Sequence, residues 1–540
     1  MSYNLAELFE RVVDFVPERE AIVTPSGRST YAQLDARANR LAHALSERGV
    51  GPGDHVGVQM HNRVEYIETM LAAYKLRAVP VNVNYRYEQT ELAHLYDDAD
   101  LLALVYDQTF VPRVRAALAQ TEIRGPLIVV DPDPDIDIDH DAIEGSVGYE
   151  AALTTASPAR DFAGRSGDDL YIAYTGGTTG MPKGVVWRHE DVFFAAMGGG
   201  DPTTFEGPIS HPDEITDRVL KVGAVMLLLP PLMHVSAQWG AFSILFGGGT
   251  VVLASPGSLD PHEAWSLVGA EHVNIVTVVG DAMARPLLDV FASDPARYDV
   301  SSLLVFASGG AVLSASTKTQ IAALLPAVIT VDGFGSTETG VSGSRARMPG
   351  ADVEHGTCFT LDAHSAVLDD RLQPVTPGSG EVGRLARRGH VPLGYYKDPG
   401  MGASTFVQVD GVRWALTGDA ATVDADGTVV LLGRGSMSIN TGGEKVYPEE
   451  VEAVVKDYSS VYDAVVVGAP HDRWGEQVVA VVAPRSGETV TLDELRAYCR
   501  GRLAGYKLPL GLCVVETVVR GPNGKPDYGW ARELVLTAGV

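Results

Sequence analysis

The chain has 540 residues, a hydrophobic content of 45% and a formal net charge of −27. The length predicts several folding units with large apolar cores, and the acidic balance argues against a nucleic-acid partner or docking on anionic lipid. Three cysteines without a CxxC spacing disfavour a disulfide framework or a zinc site and favour a reducing, cytoplasmic compartment. We expect no signal peptide, because residues 1–15 carry early acidic groups, and no membrane span, because the most apolar run, 222–232, is too short.

Hydrophobic spacing predicts alternating strands and helices along most of the chain. The run 56–60 predicts a strand, and the stretch 65–75 after it has apolar residues at helical spacing. The alternation continues with predicted strands at 79–83, 101–106, 170–174, 274–279 and 303–306, a buried strand and turn within 222–232, and helices at 91–96 and 282–291. It predicts an α/β fold whose parallel sheets are covered by helices. The acidic segment 131–141 predicts a surface loop.

Residues 175–184, TGGTTGMPKG, form the most informative segment of the chain. Glycines let backbone N–H groups approach a ligand, threonine hydroxyls add hydrogen-bond donors, and Lys183 adds positive charge. The pattern indicates a loop that wraps phosphates, and a solvated surface turn is the alternative for the segment taken alone. It is not a Walker A loop, because Lys183 is followed by Gly184 and not by serine or threonine. The stretch 185–194 is expected to continue towards a helix.

A domain boundary is predicted near residues 433–435, because the pattern changes there to a small α+β unit. Before the boundary, 420–423 and 428–432 predict a hairpin around a turn at 424–427. After it, the predicted elements are strands at 464–467 and 478–482, a helix at 449–456, and a helix beginning at Thr491 with Glu494 completing a capping box.

Four more segments accompany the glycine-rich loop: GFGSTE at 333–338, TGD at 417–419, GRGSMSINTGGEKVYPEE at 433–450 and PNGKPDY at 522–528. In this order and spacing the set resembles the adenylate-forming superfamily of acyl-CoA synthetases, peptide-synthetase adenylation domains and luciferases. The resemblance runs from about residue 5 to 530. Segments 186–191, 280–286 and 433–450 look most like actinobacterial acyl-CoA ligases that act on steroid side chains and fatty acids.

The resemblance implies an α/β architecture of two domains. Residues 1–434 would form a large N-terminal domain of parallel-rich sheets with flanking helices plus a distorted barrel, which binds AMP and the acyl group. Residues 435–540 would form a small, mobile α+β domain. The hinge would be Gly435, where the family often has a charged residue, and a glycine there can absorb a large backbone change.

The implied chemistry has two half-reactions. A carboxylate, expected to be a fatty or steroid-side-chain acid, attacks the α-phosphate of ATP with Mg²⁺ present, and CoA then displaces AMP. One alternative is a ligase of the same fold that activates an unusual small acid or passes the adenylate to a carrier protein or an amine. A second alternative is a non-catalytic nucleotide-binding relative, which the presence of Lys183, Glu338, Asp419 and Lys525 disfavours. Oligomeric state is open, with a homodimer as one option.

The resemblance also assigns nucleotide-binding residues. The phosphates would contact Thr175, Gly176, Gly177, Thr178, Thr179, Gly180 and Lys183. The base would lie along Ser308, Gly309, Gly310 and Ala311 and face Asp332 and Gly333, with Phe334, Gly335 and Ser336 completing the set. For the pair Gly309–Gly310 alone, a tight turn is an equal alternative.

Charged residues would carry the chemistry. Glu338 matches the family's Mg²⁺ ligand, and Thr337 matches its α-phosphate ligand. Asp419 would accept hydrogen bonds from both ribose hydroxyls, with Arg434 in support, although TGD alone would suggest a turn aspartate. Lys525 would swing into the site to bridge carboxylate and phosphate in the first half-reaction.

Fewer residues match the family at the acyl-binding and CoA-binding parts of the site. His234 matches a histidine at the entrance of the acyl pocket, and the pocket would be built from residues 234–249. The glycines 247–249 would leave one wall open, or would form a turn. Gly442 and Gly443 match the pair that lines the pantetheine tunnel. The family's lysine three residues before that pair is absent, and Lys445 comes later, so a role for that lysine in the second half-reaction is in doubt.

Overall fold

The fold is taken from a computed structural model that describes residues 2–132, 141–176, 181–201, 206–311, 313–353, 357–441, 444–471, 473–521 and 525–540. Its α-helices are α1 (Leu5–Phe15), α2 (Tyr31–Ser46), α3 (Val64–Leu76), α4 (Gln89–Asp98), α5 (Val111–Leu118), α6 (Tyr149–Thr154), α7 (His189–Ala196), α8 (Val235–Phe246), α9 (Pro261–Ala270), α10 (Gly280–Ser293), α11 (Ala315–Leu324), α12 (Pro399–Thr405), α13 (Pro448–Lys456), α14 (Leu492–Cys499) and α15 (Tyr528–Ala538).

The strands are β1 (Glu20–Thr24), β2 (Gly27–Thr30), β3 (His55–Gln59), β4 (Val79–Asn82), β5 (Leu101–Asp107), β6 (Leu127–Val130), β7 (Val147–Gly148), β8 (Leu170–Thr175), β9 (Lys183–Arg188), β10 (Val225–Leu228), β11 (Thr250–Val252), β12 (Ile275–Val278), β13 (Val305–Ser308), β14 (Ile329–Ser336), β15 (Gly340–Arg347), β16 (Cys358–Leu361), β17 (Ser365–Leu368), β18 (Gly383–Arg388), β19 (Gly394–Tyr395), β20 (Phe406–Val409), β21 (Val412–Val423), β22 (Val429–Arg434), β23 (Ile439–Thr441), β24 (Glu444–Val446), β25 (Val461–His471), β26 (Gly475–Pro484) and β27 (Gly511–Val514).

These strands form two large mixed sheets and one small sheet. An eight-stranded sheet has the order β19-β9-β8-β4-β3-β5-β6-β7, and a fourteen-stranded sheet has the order β17-β18-β21-β22-β16-β15-β14-β13-β12-β10-β11-β1-β2, with β20 paired to β21. The central strands β3 to β6 and β10 to β14 run parallel, which confirms the parallel-rich prediction. Helices α1, α2, α3 and α8 fill the main core between the two large sheets.

The small C-terminal sheet has the order β24-β23-β26-β25, with β27 paired to β26. Helices α13 and α14 cover one face through Val451, Val455 and Leu495, and α15 covers the other through Ala531 and Val535. The predicted α+β character of this part is confirmed. The capping box at Thr491 is also present, with the Thr491 hydroxyl and the Glu494 carboxylate each accepting from the other residue's backbone N–H.

The expected distorted barrel is wrong for the part of the chain that the structure describes. Strand β16 is paired on both edges, with β15 through Gly343 and Leu361 and with β22 through Cys358 and Val430. Because both edges of β16 are occupied, the antiparallel strands β22, β21, β18 and β17 extend the large sheet as an open path. They do not close on themselves.

Most predicted elements are confirmed, and the differences are local. Residues 185–188, expected to lead towards a helix, belong to β9, because they pair with β8 on one side and β19 on the other. Helix α7 begins at His189. The strand predicted at 303–306 instead runs from Val305 to Ser308. In the run 222–232 the strand begins at Val225, and Val222 is 84% exposed.

The wide acyl pocket suggested by glycines 247–249 is not supported. Gly248 has φ +68°, and a Cβ at Gly249 would lie 2.5 Å from the carbonyl oxygen of Ala224, so this segment is a tightly packed turn after α8. Trp239, Phe242 and Phe246 are buried in the main core. None of the described helices combines the length and apolar character needed to cross a membrane.

Candidate functional site

The glycine-rich loop connects two antiparallel strands. Thr175 at the end of β8 pairs with Lys183 at the start of β9, so both residues flank the segment between them. Gly176 follows Thr175, and a Cβ added there would lie 2.9 Å from the hydroxyl of Tyr87. The predicted phosphate ligands Gly177, Thr178, Thr179 and Gly180 lie outside the described residues.

Lys183 forms an ion pair with Asp398, which sequence reasoning missed. The Lys183 ammonium lies 2.9 Å from Asp398 Oδ2, and more than a third of each side chain is exposed. The hydrogen bond from Lys183 holds the pKa of Asp398 below its usual value. Asp398 also accepts the backbone N–H of Met401 at 3.0 Å at the start of α12. Asp398 is thus paired with the ammonium group that Lys183 would otherwise direct towards a phosphate.

We expect Asp398→Asn to lower the KM for ATP. The amide keeps the shape and the bond to Met401 but removes a charge that competes with phosphate for Lys183. The change should be no more than about fivefold, because exposed ion pairs contribute little. Steady-state kinetics with varied ATP will measure it, with Asp370→Asn, an exposed aspartate elsewhere on the surface, as the control. An unchanged KM for ATP would mean that the pair does not compete with the nucleotide.

Thr337 and Glu338 follow β14, and neighbouring aromatic residues fix both. Trp187 Nε1 on β9 donates to the backbone oxygen of Thr337 at 3.0 Å, and the Tyr395 hydroxyl on β19 donates to Glu338 Oε1 at 2.9 Å. Burial, followed by the charge on Glu338, raises the pKa of Tyr395, so the phenol remains a donor. Because Tyr395 pairs with Val185 on β9, the end of β14 is connected to the phosphate-loop hairpin.

Glu338 suits Mg²⁺ in this position. Mg²⁺ keeps several waters and takes one or two carboxylates plus substrate phosphates, so it does not need a cage of protein ligands. Within the described ranges, no cluster of three or more histidine, cysteine or acidic side chains is arranged to hold a metal ion. A single carboxylate, that of Glu338 oriented by Tyr395, is enough for Mg²⁺ that also binds waters and substrate phosphates.

The predicted adenine segments lie at the ends of adjacent parallel strands. Ser308 pairs with Asp332 across β13 and β14, and Gly333, Phe334, Gly335 and Ser336 continue along β14. The Ser308 hydroxyl donates to the backbone oxygen of Ala311 at 3.0 Å, which closes a tight turn. In that turn Gly310 has φ +81°, and a Cβ at Gly309 would meet no atom within 4 Å. The turn leaves open space beside the strand ends.

The carboxylate of Asp332 does not face this space freely. It is 2% exposed and lies 2.7 Å from the ammonium of Lys318 on α11. Burial raises the pKa of Asp332 above its usual value, and the Lys318 charge offsets only part of that rise. Any contact of Asp332 with a base would therefore come from its backbone and not from its carboxylate.

Asp419 and Arg434 face each other across the hairpin of β21 and β22. They pair in register, with Arg434 Nε 3.6 Å from Asp419 Oδ1. The backbone N–H of Asp419 donates a hydrogen bond to the Thr417 hydroxyl at 3.2 Å. The carboxylate is thus oriented by the strand and by Arg434, as a residue that reads a diol would need to be.

We expect Asp419→Ala to weaken ATP binding by about 2–5 kcal/mol, because a charged acceptor for two hydroxyls is lost. Binding of 2′,3′-dideoxy-ATP, which lacks both hydroxyls, should hardly change. Calorimetric titration of both nucleotides against both proteins measures the difference. Equal weakening of the two nucleotides would identify Asp419 as a structural turn residue.

Lys525 brings the C-terminal part of the chain to this site. Burial lowers the pKa of Lys525, and the charge of Arg434 lowers it further. The carboxylates of Asp419 and Glu338 act in the opposite direction, and so does Glu449 when it is ionised. The Lys525 ammonium is thus close enough to sense the ribose pair, the end of β14 and α13. Sequence reasoning placed Lys525 here but missed Glu449.

His234 is the residue before α8 and is half-buried. Two residues later, the exposed Ser236 lies 3.9 Å from where a Cβ at Gly310 would be. The start of α8 is therefore next to the predicted adenine turn. Gly442 and Gly443 lie outside the described residues, and Lys445 on β24 is exposed.

Comparisons with known proteins agree over nearly the whole chain. The AMP-binding enzyme family matches residues 9–396, and the AMP-binding enzyme C-terminal domain matches residues 450–525. The 3-oxocholest-4-en-26-oate–CoA ligase of Rhodococcus rhodochrous is 45% identical over 537 residues, which cover 99% of this chain and 96% of that protein. A medium/long-chain-fatty-acid–CoA/3-oxocholest-4-en-26-oate–CoA ligase of Mycolicibacterium smegmatis is 44% identical, with coverage of 99% and 97%.

A solved structure shows the same fold. An anthranilate CoA ligase in complex with anthranoyl-AMP has a TM-score of 0.84, covering 100% of this chain and 99% of that chain. Its sequence is 22% identical to this one, so the likeness concerns the fold alone.

Proposed function

Because the chain belongs to the AMP-binding enzyme family and is an ATP-dependent, AMP-forming ligase of the acyl-CoA synthetase type, we propose that its acid is a medium- or long-chain fatty acid or the side-chain carboxylate of a steroid. ATP, Mg²⁺ and CoA are the cofactors of such a ligase. The acids named for the relatives, at 45% and 44% identity, support this substrate class.

The acids named for the relatives carry the proposed substrate class, and the surroundings of Lys525 carry the adenylation step. The first half-reaction brings two anions together, and a cation placed between them stabilises the charge that develops. Lys525 comes from the C-terminal part and senses Glu338 and Asp419 of the large part. This arrangement supports adenylation, in which the ammonium group bridges the acid and the α-phosphate.

The other residues act by binding and orienting. Asp419 and Arg434 hold the ribose, Thr337 contacts the α-phosphate, and Lys183 exchanges Asp398 for phosphate. Glu338, oriented by Tyr395, would hold Mg²⁺, which would supply charge neutralisation at the phosphates. The turn after β13 leaves room for the base.

We further propose that residues 1–434 and 435–540 form the two domains and that they turn at Gly435 between half-reactions. In the second half-reaction Gly442 and Gly443 would line the path of CoA. Free cysteines, two of them buried, support a reducing cytoplasm. We also propose a homodimer, which a measurement of the protein's mass in solution would test.

A substrate screen tests the proposal. Pyrophosphate release should be fastest with medium- and long-chain fatty acids or steroid side-chain acids, and slower with short, aryl or inorganic acids. Mass spectrometry should then detect the acyl-CoA only when CoA is present. Preference for a short or aryl acid would overturn the proposed substrate class, and an adenylate that is not consumed by CoA would overturn the acceptor.

A further inference from the structure

Glu449, in the first turn of α13, packs against the hinge strand β22. The backbone N–H of Arg434 donates to Glu449 Oε1 at 3.4 Å. A Cβ added at Gly433 would overlap the Glu449 carboxylate, and Gly433 has φ +118°, in the region that favours glycine. The glycine at 433 therefore makes room for a carboxyl group directly beside the hinge.

The carboxyl group of Glu449 has few interactions there that would stabilise a negative charge. In the part of the chain that the structure describes, its Oε2 is buried without a hydrogen-bond partner. Acidic neighbours face it from two elements, Glu452 on α13 and Asp419 on β21, and Tyr528 at the start of α15 also senses its charge. The cations that act on this cluster are Arg434 and Lys525 at Glu449, and Lys456 at Glu452.

Glu452 is better placed than Glu449 to carry a negative charge. Glu452 Oε1 accepts the backbone N–H of Val466 at 2.9 Å, and the Tyr528 hydroxyl donates to the same carboxylate. Two adjacent buried carboxyls do not both ionise readily. Glu452 also senses the Lys456 ammonium, whereas Glu449 Oε2 has no partner among the described residues, so Glu449 is the one that keeps the proton. Burial, and then the charge on Glu452, raise the pKa of Glu449 to about 7.

We propose that Glu449 is a positioning residue that links the orientation of the small domain to the uptake of one proton. In the orientation described here its carboxyl is protonated and packed on Gly433 and Arg434. Glu449 lies in the small domain and Gly433 in the large one, so a turn at Gly435 separates them. The carboxyl then meets water and releases its proton to it. This inference rests on the domain division proposed above.

The sign of the pH dependence follows from where the proton is bound. The present orientation, in which Lys525 is in the site, binds the proton more tightly and is favoured at low pH. It becomes less favourable as pH rises from the ordinary carboxyl pKa of about 4.3 towards about 7. One proton changes the ratio of orientations by at most about tenfold per pH unit. Raising the pH should therefore favour thioester formation relative to adenylation.

The test measures the two half-reactions separately between about pH 5.5 and 8, the range that spans the raised carboxyl pKa. Adenylation is followed by ATP–pyrophosphate exchange, and thioester formation by a single turnover of supplied acyl-adenylate with CoA. In the unmodified protein the ratio of the second rate to the first should rise with pH. Glu449→Gln and Glu449→Met, neutral at every pH, should keep adenylation and hold the ratio low and flat, below that of the unmodified protein by a margin that grows by up to about tenfold for each pH unit between the ordinary and the raised carboxyl pKa.

Glu450→Gln is the matched control. It lies next to Glu449 on α13, and its carboxylate pairs with the Lys507 ammonium at 2.6 Å, away from the hinge. It should keep the pH profile of the unmodified protein. The inference is overturned if Glu449→Gln and Glu449→Met keep that profile, or if Glu450→Gln flattens it equally.

Hydrogen exchange at the Arg434 amide provides a readout that needs neither acid nor CoA. After correction for the intrinsic pH dependence of exchange, protection of this amide should fall with rising pH in the unmodified protein but not in Glu449→Gln. The same pH dependence in both proteins would overturn the inference. A protein that forms no thioester at any pH would contradict the proposed function and leave this readout intact.

Discussion

Lys525→Ala is expected to slow acyl-adenylate formation by about 10²- to 10³-fold, the usual loss when a positioned charge is removed from a developing anion. Thioester formation from a supplied acyl-adenylate should stay near the rate of the unmodified protein. We attribute the difference to the ammonium group, which in the orientation described senses the charges of Asp419 and Glu338, the residues proposed to hold the ribose and Mg²⁺. In the second orientation that we propose for the small domain, this lysine would no longer face the site.

The measurement is a comparison of the two half-reactions in the same protein preparation. Lys507→Ala is the matched control, since it also removes one lysine from the small domain but one that is paired with Glu450. It should leave adenylation intact. Equal losses in both half-reactions of Lys525→Ala would contradict the assignment of Lys525 to the first step.

The sequence alone predicts elements whose apolar residues form a continuous run or a regular helical spacing. Strand β3, helix α3 and strand β5 lie within one residue of where the sequence places them. They are buried on more than one face, which includes every residue of β3, residues 66–75 of α3 and all but one residue of β5. The resemblance also selects residues that the fold brings together from distant parts of the chain. Asp419 and Arg434 pair across one hairpin, and Lys525 joins them from the C-terminal part.

Partners outside the motifs could not be predicted in the same way. Asp398 and Tyr395 follow no recognisable motif, and only tertiary packing places them against Lys183 and Glu338. The ion pair of Asp332 with Lys318 could not be predicted either, because no residue near Asp332 in sequence indicates it.

The glycines at the proposed hinge also show that sequence motifs do not reveal tertiary contacts. The sequence points to Gly435 as the special residue, yet in this orientation the positive φ and the close approach of a carboxylate belong to Gly433. A Cβ at Gly435 would meet its nearest neighbour, the backbone oxygen of Gly418, at an ordinary 3.7 Å. Any need for glycine at 435 must therefore arise in another orientation of the small domain.

This difference makes Gly435→Pro informative, and we expect the variant to keep adenylation. Arg434 has φ −76° and ψ 122°, the extended conformation that a residue before proline prefers. Gly435 begins the 3₁₀ turn Gly435–Met437, and the first position of a helical turn accepts proline because its N–H needs no partner within the turn. The proline therefore fits the orientation in which Lys525 faces the site.

The same substitution should slow CoA-dependent release of AMP by about a hundredfold. The proposed second half-reaction needs Gly442 and Gly443 at a site that Lys525 now faces, so the small domain has to turn. Proline fixes φ near −65°, and an orientation that needs another backbone conformation at 435 would cost about 3 kcal/mol, which corresponds to about that factor in rate.

Gly435→Ala is the control, because alanine keeps more backbone freedom than proline and fits the space at this position. It should lie between the unmodified protein and Gly435→Pro in thioester formation and match both in adenylation. The two rates are measured by pyrophosphate exchange and by single turnover of supplied acyl-adenylate with CoA. If a well-folded Gly435→Pro protein forms thioester at the unmodified rate, the domains do not turn at Gly435, and the hinge must be sought at Gly433 or beyond the 3₁₀ turn.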